Sequence, residues 1–147
     1  MTLDERYEPT NNLHLGAMLD ETGFERSTPS ETKFGAYFAN GSDLFVILNP
    51  KKGTGVHDHP NHRGGTLSYL GPIVESDGNF EDTLAYKCQI DRRAERIPDE
   101  KDVVVTLSPG ETFNLIYGSA SGDRGVIGRF YGCHNLSDVP IALLVQL

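Results

Sequence analysis

Three of the five histidines in this 147-residue chain fall within the segment Gly55–Gly65, GVHDHPNHRGG. His57 and His59 are two positions apart, and residues at that spacing project from the same face of a β-strand. Two imidazoles on one face can bind a single metal ion, and neutral imidazole suits iron, zinc, copper or nickel. The spacing therefore predicts a metal site that needs a further ligand from elsewhere in the chain. The competing interpretation is that both histidines are polar residues at a strand edge.

The preferred distant ligand is His134, in the segment RFYGCHN. Its alternative role is that of a turn residue before the last strand. His62 lies beyond Pro60, where a strand would already be turning, so a position outside the ligand set is favoured. Tyr131 could donate a hydrogen bond or a proton in catalysis, or could be a buried aromatic residue.

Lys33 and Arg63 are the cations that we expect to lie best placed at the mouth of the folded domain, and each could bind a substrate carboxylate. The formal net charge of the whole chain is -8, with 21 acidic and 13 basic residues. This excess of acid argues against nucleic acid as a partner, because neutralising phosphates needs clustered Lys and Arg. We expect a small-molecule substrate.

The chain has two cysteines, Cys88 and Cys133, too few for a disulfide framework and typical of a reducing compartment. The longest apolar runs are far shorter than a membrane-spanning helix. We therefore expect a soluble, cytoplasmic protein with no membrane partner.

The elements that must position these residues are short apolar runs separated by turn residues. After residue 33 they read FGAYFA, LFVILN, GVHDH, TLSYL, LAYKCQI, DVVVTL, TFNLIY, VIGRFY and PIALLVQL. Strand-length runs at this spacing predict an all-β sandwich or barrel. Residues 1–32 are polar and turn-rich, with a short helix or strand over Leu13–Leu19, and are interpreted as an N-terminal arm on a single domain whose barrel spans 33–147.

Two blocks of sequence carry a family resemblance. The first runs from Asn40-Gly41 through the apolar run 44–48 to His57-Asp58-His59-Pro60-Asn61, and the second is the C-terminal segment from Asn135 to Leu147. On these residues the chain resembles the cupin superfamily, and within it the cysteine dioxygenase type of thiol dioxygenase. The resemblance implies a single cupin domain, a jelly-roll barrel also called a double-stranded β-helix.

The resemblance also implies roles for individual residues. His57 and His59 match two of that family's three metal ligands, which hold Fe(II). Lys33 stands where the family has an arginine that binds the substrate carboxylate, and lysine keeps the charge but loses the bidentate geometry.

The chain departs from the family in its second half. Tyr131 stands at the position of the third histidine, whereas His134 is displaced by three residues, and an odd shift reverses the face of a regular strand. Leu143, Val145 and Leu147 replace the family's serine, histidine and tyrosine. Because that polar triad is missing, the resemblance does not extend to cysteine as the substrate.

The sequence thus predicts a small metal-dependent cupin enzyme, with a non-haem Fe(II) dioxygenase acting on a thiol- or carboxylate-bearing molecule as the first choice. One alternative is a zinc-dependent cyclase or isomerase, in which the metal acts as a Lewis acid. Another is a cupin that binds a ligand without catalysis. Besides Fe(II) and Zn(II), Ni(II) is a possible ion. Both a monomer and a homodimer are compatible with the pattern.

Overall fold

A computed structural model describes residues 13–24, 29–54, 64–73, 83–88, 103–116 and 130–147. These residues form one helix, α1, and nine strands. The elements are α1 (Leu13–Thr22), β1 (Ser30–Glu31), β2 (Gly35–Asn40), β3 (Asp43–Leu48), β4 (Gly64–Pro72), β5 (Thr83–Cys88), β6 (Val103–Leu107), β7 (Thr112–Ile116), β8 (Phe130–Asn135) and β9 (Ile141–Gln146). The predicted all-β class is confirmed. Two of the predicted runs, GVHDH and most of VIGRFY, lie outside the described residues.

The strands form two antiparallel sheets. The large sheet has the order β1-β2-β3-β9-β4-β7, and the small sheet has the order β6-β5-β8. Strand β9 pairs with β3 on one side and with β4 on the other, so the C-terminal segment is a central strand of the large sheet. The sheets are therefore held together by pairings between residues distant in sequence, as in jelly-roll architectures.

Both faces of the large sheet are buried, and the alternation along β3 shows how. Val46 and Leu48 point to one face, whereas Phe45 and Ile47 point to the other. The first face contributes to what we call the interior cluster, and the second to the helix-side cluster. The buried members of the interior cluster are Val46, Leu48, Leu67, Tyr69, Leu107, Cys133, Ile141, Leu143 and Val145. Those of the helix-side cluster are Leu15, Met18, Leu19, Phe24, Ala36, Phe38, Phe45, Ile47, Ile73 and Ala142.

Helix α1 covers the outer face of the large sheet. Leu15, Met18 and Leu19 follow the spacing of one helical face and are all buried in the helix-side cluster. The helix ends at Gly23, whose φ of 84° is in the left-handed region. The amide of Phe24 donates to the carbonyl of Leu19 (2.9 Å) and that of Gly23 to the carbonyl of Asp20 (3.3 Å), the pattern of a Schellman cap.

The helix is also tied to the sheet by polar contacts. The Nε2 atom of His14 lies 3.1 Å from the carbonyl oxygen of Pro72 at the end of β4. The side-chain amide of Asn40 donates to the carbonyl of Gly23 over the same distance, 3.1 Å. Residues 13–24 of the predicted arm are thus a packed layer of the fold. No helix among the described residues is long and apolar enough to cross a membrane.

Candidate functional site

A cavity of about 270 Å³ lies between the large sheet and strand β8. Two rows of paired residues form its floor on the large sheet. Val46 faces Tyr37 on one neighbouring strand and Leu143 on the other. In the second row, Val145 pairs with both Leu44 and Leu67. The described lining residues are Thr32, Phe34, Tyr37, Leu44, Val46, Thr54, Leu67, Cys133, Leu143 and Val145.

The described wall of this cavity carries no charged side chain. Its two threonine hydroxyl oxygens already accept backbone hydrogen bonds. The Thr32 hydroxyl oxygen accepts from the amide of Gly35 (3.1 Å), and that of Thr54 accepts from the amide of Cys133 (3.1 Å). The described wall of the cavity is therefore mainly apolar and carries no charged side chain.

Cys133 is the wall residue contributed by the small sheet. Its side chain is 1% exposed, and burial raises the pKa of the thiol far above its ordinary range. The thiol therefore stays protonated at neutral pH, and the protonated form is a poor nucleophile and a poor metal ligand. Cys133 serves here as a small apolar side chain.

The segment that leads into the predicted metal motif is fixed against β8. The amide of Thr54 donates to the carbonyl of Cys133 (2.9 Å), and the amide of Asn135 donates to the carbonyl of Lys52 (2.9 Å). Gly53 sits between them, opposite His134 in an isolated β-bridge. This pairing directs the side chain of Thr54 into the cavity wall, three residues before His57.

His134 lies within β8 rather than in a turn, and its side chain is 6% exposed. Neighbouring residues of a strand point to opposite faces, and Cys133 points into the cavity. His134 is thus directed to the other face of β8, where its ring lies against Gly53. A ligand role for His134 would require the metal to lie on that face and not in the cavity.

The remaining residues that the sequence predicted for the site do not come together among the described residues. Lys33 is exposed and lies between two residues of the cavity wall, Thr32 and Phe34. Tyr131 lies in β8 opposite Lys87 of β5, and its side chain is outside the description. The other predicted residues fall outside the described part of the chain; they are His57, His59, His62 and Arg63.

The described residues do not by themselves form a metal site. Among them, no three His, Cys, Asp or Glu side chains come together in a way that could hold an ion. His134 and Cys133 are adjacent in sequence, but they point to opposite faces of the strand and the thiol is protonated. The predicted metal site therefore depends on His57 and His59.

Sequence reasoning did not single out the aromatic and aliphatic part of the wall contributed by β2 and β3. Tyr37, Leu44 and Val46 were seen as parts of apolar runs without an assigned role. The alternation within each run indicated which residues share a face. The β2–β3 hairpin places Tyr37 opposite Val46, whereas the rest of the floor comes from β9, about one hundred positions further along the chain.

Neither the comparison with family models nor that with curated proteins gives a match. Solved structures do match. Oxalate decarboxylase from Bacillus subtilis superimposes with a TM-score of 0.53 and 14% sequence identity, covering 81% of this chain. This chain spans 26% of the length of that decarboxylase, a protein with Mn(II) centres.

A second match is Drosophila melanogaster CENP-C bound to CAL1. It has a TM-score of 0.52 and 14% identity and covers 97% of this chain and 98% of that one. At this level of identity the likeness shows the fold alone, which is that of a single cupin barrel.

Proposed function

We propose that this protein is a metal-dependent cupin enzyme whose small-molecule substrate occupies the cavity beside β8. The observation that carries the proposal is the position of Thr54, which lies in the cavity wall three residues before His57. In the sequence, Thr54 is followed by Gly55 and Val56 and then by His57-Asp58-His59. We propose that these two histidines hold a divalent metal near the substrate.

The proposed reaction is dioxygenation with Fe(II), as the resemblance to thiol dioxygenases implies. Held by His57, His59 and a further ligand, Fe(II) would supply an open position for dioxygen. The described residues would contribute a dry, apolar chamber that excludes water from the reacting groups. The alternative is a zinc-dependent cyclase or isomerase, with Ni(II) as another possible ion, and the bacterial decarboxylase of similar fold has Mn(II) centres.

A second candidate function is ligand binding without catalysis. The position of His134 favours it, because the third ligand predicted from the sequence is directed away from the cavity. The structure of CENP-C bound to CAL1 is a case in which this fold binds a protein. Under this second proposal, the cavity would still bind a small molecule, but metal would not be needed.

We further propose that the protein works in the cytoplasm as a monomer or homodimer, without nucleic acid or membrane partners. The acidic net charge of -8 supports the exclusion of nucleic acid. A buried free thiol at Cys133 suits a reducing compartment. The proposal that Lys33 and Arg63 bind a substrate carboxylate stays a prediction.

The proposed function is tested by elemental analysis of the purified protein, followed by oxygen uptake after loading with Fe(II). We expect near-stoichiometric metal in the wild type and background metal in His57→Ala and His59→Ala. His14→Ala is the matched control, because His14 is a histidine on α1 that lies outside the cavity wall. Full metal in both ligand variants would refute the metal site. Bound iron without oxygen uptake, for any small acid or thiol supplied, would refute the dioxygenase and leave the non-redox alternatives.

A further inference from the structure

We infer that the cavity selects an uncharged, apolar group, such as a single aromatic ring or a branched alkyl group, as the buried part of its ligand. The inference rests on the proposed function in one respect, because it takes the ligand of the cavity to be the substrate of the proposed enzyme. It departs from the small polar thiol acids that the sequence resemblance suggested.

The first support is the composition of the floor. Leu44, Val46, Leu143 and Val145 pair across β3 and β9 and present four aliphatic side chains to one chamber. Leu143 and Val145 occupy two of the positions where the thiol dioxygenases have polar residues. The replacement is therefore in the wall of the cavity itself, where it changes what the cavity can bind.

The second support is that the hydroxyl oxygens of the two threonines in the wall already accept hydrogen bonds. The hydroxyl oxygens of Thr32 and Thr54 accept bonds from backbone amides. A charged or zwitterionic group placed among these residues would lose its hydration without gaining an ionic partner from the described wall, so its entry is unfavourable. An apolar group loses nothing on entering and gains the release of water from its surface.

The position of Lys33 also fits a ligand whose apolar part is buried and whose charged part is exposed. Its side chain is exposed, whereas Thr32 and Phe34 on either side of it line the cavity. Of the described residues, Lys33 therefore offers a ligand carboxylate a cation at the surface, outside the apolar chamber. The ligand class is an apolar group buried in the cavity, with any charged group left at the surface.

The volume sets the size of the buried group. An apolar protein cavity of about 150 Å³ accepts benzene. The cavity here, at about 270 Å³, has room for a ring with a short substituent or for a branched chain of similar bulk.

Binding is tested with indole, benzyl alcohol and 3-methylbutanol as apolar probes, and with cysteine, glycine and acetate as charged ones. Thermal unfolding and calorimetric titration are run on the wild-type protein as purified and after chelation. We expect the apolar probes to raise the Tm in a concentration-dependent way in both preparations, because they bind the folded state. The charged probes should leave the Tm of the chelated protein unchanged.

Variants then locate the binding. Val46→Phe fills the chamber and should weaken the binding of indole by about tenfold or more. Val145→Leu is a smaller filling change for the case in which Val46→Phe does not fold. Ile47→Val, on the opposite face of β3, is the matched control and should bind indole as the wild type does.

The inference is overturned if no apolar probe binds, if the charged probes bind the chelated protein more tightly, or if both filling variants bind indole normally. Binding to the chelated protein separates this result from the metal proposal. Indole binding without metal content would support the inference and refute the metal enzyme. If the protein instead contains metal and takes up oxygen but binds no apolar probe, the metal enzyme is supported and the inference about the ligand is refuted.

Discussion

The imidazole of His134 lies over the α-carbon of Gly53, so closely that a Cβ atom on Gly53 would fall 2.4 Å from Nδ1 and 2.5 Å from Cε1. The two residues form an isolated β-bridge that joins the segment after β3 to β8. Glycine at position 53 therefore lets a histidine ring be buried at this junction. The contact fixes the point from which the chain enters the segment containing His57 and His59.

Gly53→Ala tests this relationship. The added Cβ would meet the ring of His134 and, at 2.8 Å, the carbonyl oxygen of Cys133, so the ring and the backbone would both have to move. We expect the free energy of unfolding to fall by about 1 to 3 kcal/mol, as for other overpacked sites. Urea unfolding at pH 7 in the presence of a chelator measures it.

The control for Gly53→Ala is the same change in a His134→Ala background. Removing the ring removes the two closest contacts and leaves the one with the Cys133 carbonyl. The cost of Gly53→Ala should therefore be clearly smaller in the double variant than in the wild type. Equal costs in the two backgrounds would mean that the imidazole does not lie where the structure has it.

The role of His134 is separated from that of His57 by metal-dependent stability. A metal bound by the folded state raises the Tm, whereas a packing contact contributes equally with and without metal. Because His134 is directed away from the cavity, we expect His134→Ala to lower the Tm equally in the presence and absence of metal. His57→Ala should instead abolish the rise in Tm that the metal produces. Loss of that rise in His134→Ala as well would make His134 a ligand and move the metal to the outer face of β8.

The fold was predictable because its strands carry local signals. The runs FGAYFA, LFVILN and PIALLVQL are rich in strand-forming residues and bounded by turn residues, and they became β2, β3 and β9. The layer formed by α1 was harder to predict. Leu15, Met18 and Leu19 have helical spacing, but a segment of seven residues does not reveal what it packs against.

The candidate site was less predictable, since it depends on register. The sequence predicts His134 as the distant ligand, but one position decides which face of β8 a side chain takes. Cys133 and His134 illustrate this, because one lines the cavity and the other does not. The face that each side chain takes is set by the long-range pairing of β8 with Gly53 and β5, and the local sequence does not encode that pairing.

Leu19→Ala tests whether α1 is part of the folded core. Leu19 is fully buried in the helix-side cluster, next to the Schellman cap that ends the helix. We expect a loss of about 2 to 5 kcal/mol in the free energy of unfolding, the usual cost of truncating a buried leucine. The matched control is Glu21→Ala on the exposed side of the same helix, which should change stability by less than about 0.5 kcal/mol. Equal effects of the two changes would show that α1 is a loosely attached arm.

The turn between β8 and β9 depends on the buried side chain of Asn135. Its Nδ2 group donates to the carbonyls of Leu48 (3.0 Å) and Val139 (2.7 Å), and its Oδ1 accepts from the amide of Ser137 (2.9 Å). A third carbonyl, that of Asn49, lies 3.2 Å from the same Nδ2. One side chain thus holds the end of β3 against the turn that leads into the central strand β9.

Asn135→Asp is the sharpest test of this arrangement, because it keeps the shape and replaces the donor by an oxygen that faces carbonyls. In the folded state the neutral acid is favoured, so the pKa of the new carboxyl should rise above the ordinary value of about 3.9. For a raised carboxyl pKa, stability is retained below the unfolded-state pKa and is lost as pH rises through the folded-state pKa. Urea unfolding from pH 4 to pH 8 should therefore show a deficit in the free energy of unfolding, relative to wild type, that grows with pH.

The control is Asn135→Ala, which loses the same donors without adding a charge. It should show a deficit of about 2 to 4 kcal/mol with little pH dependence. A flat deficit in Asn135→Asp would place its side chain in contact with water and not among the three carbonyls.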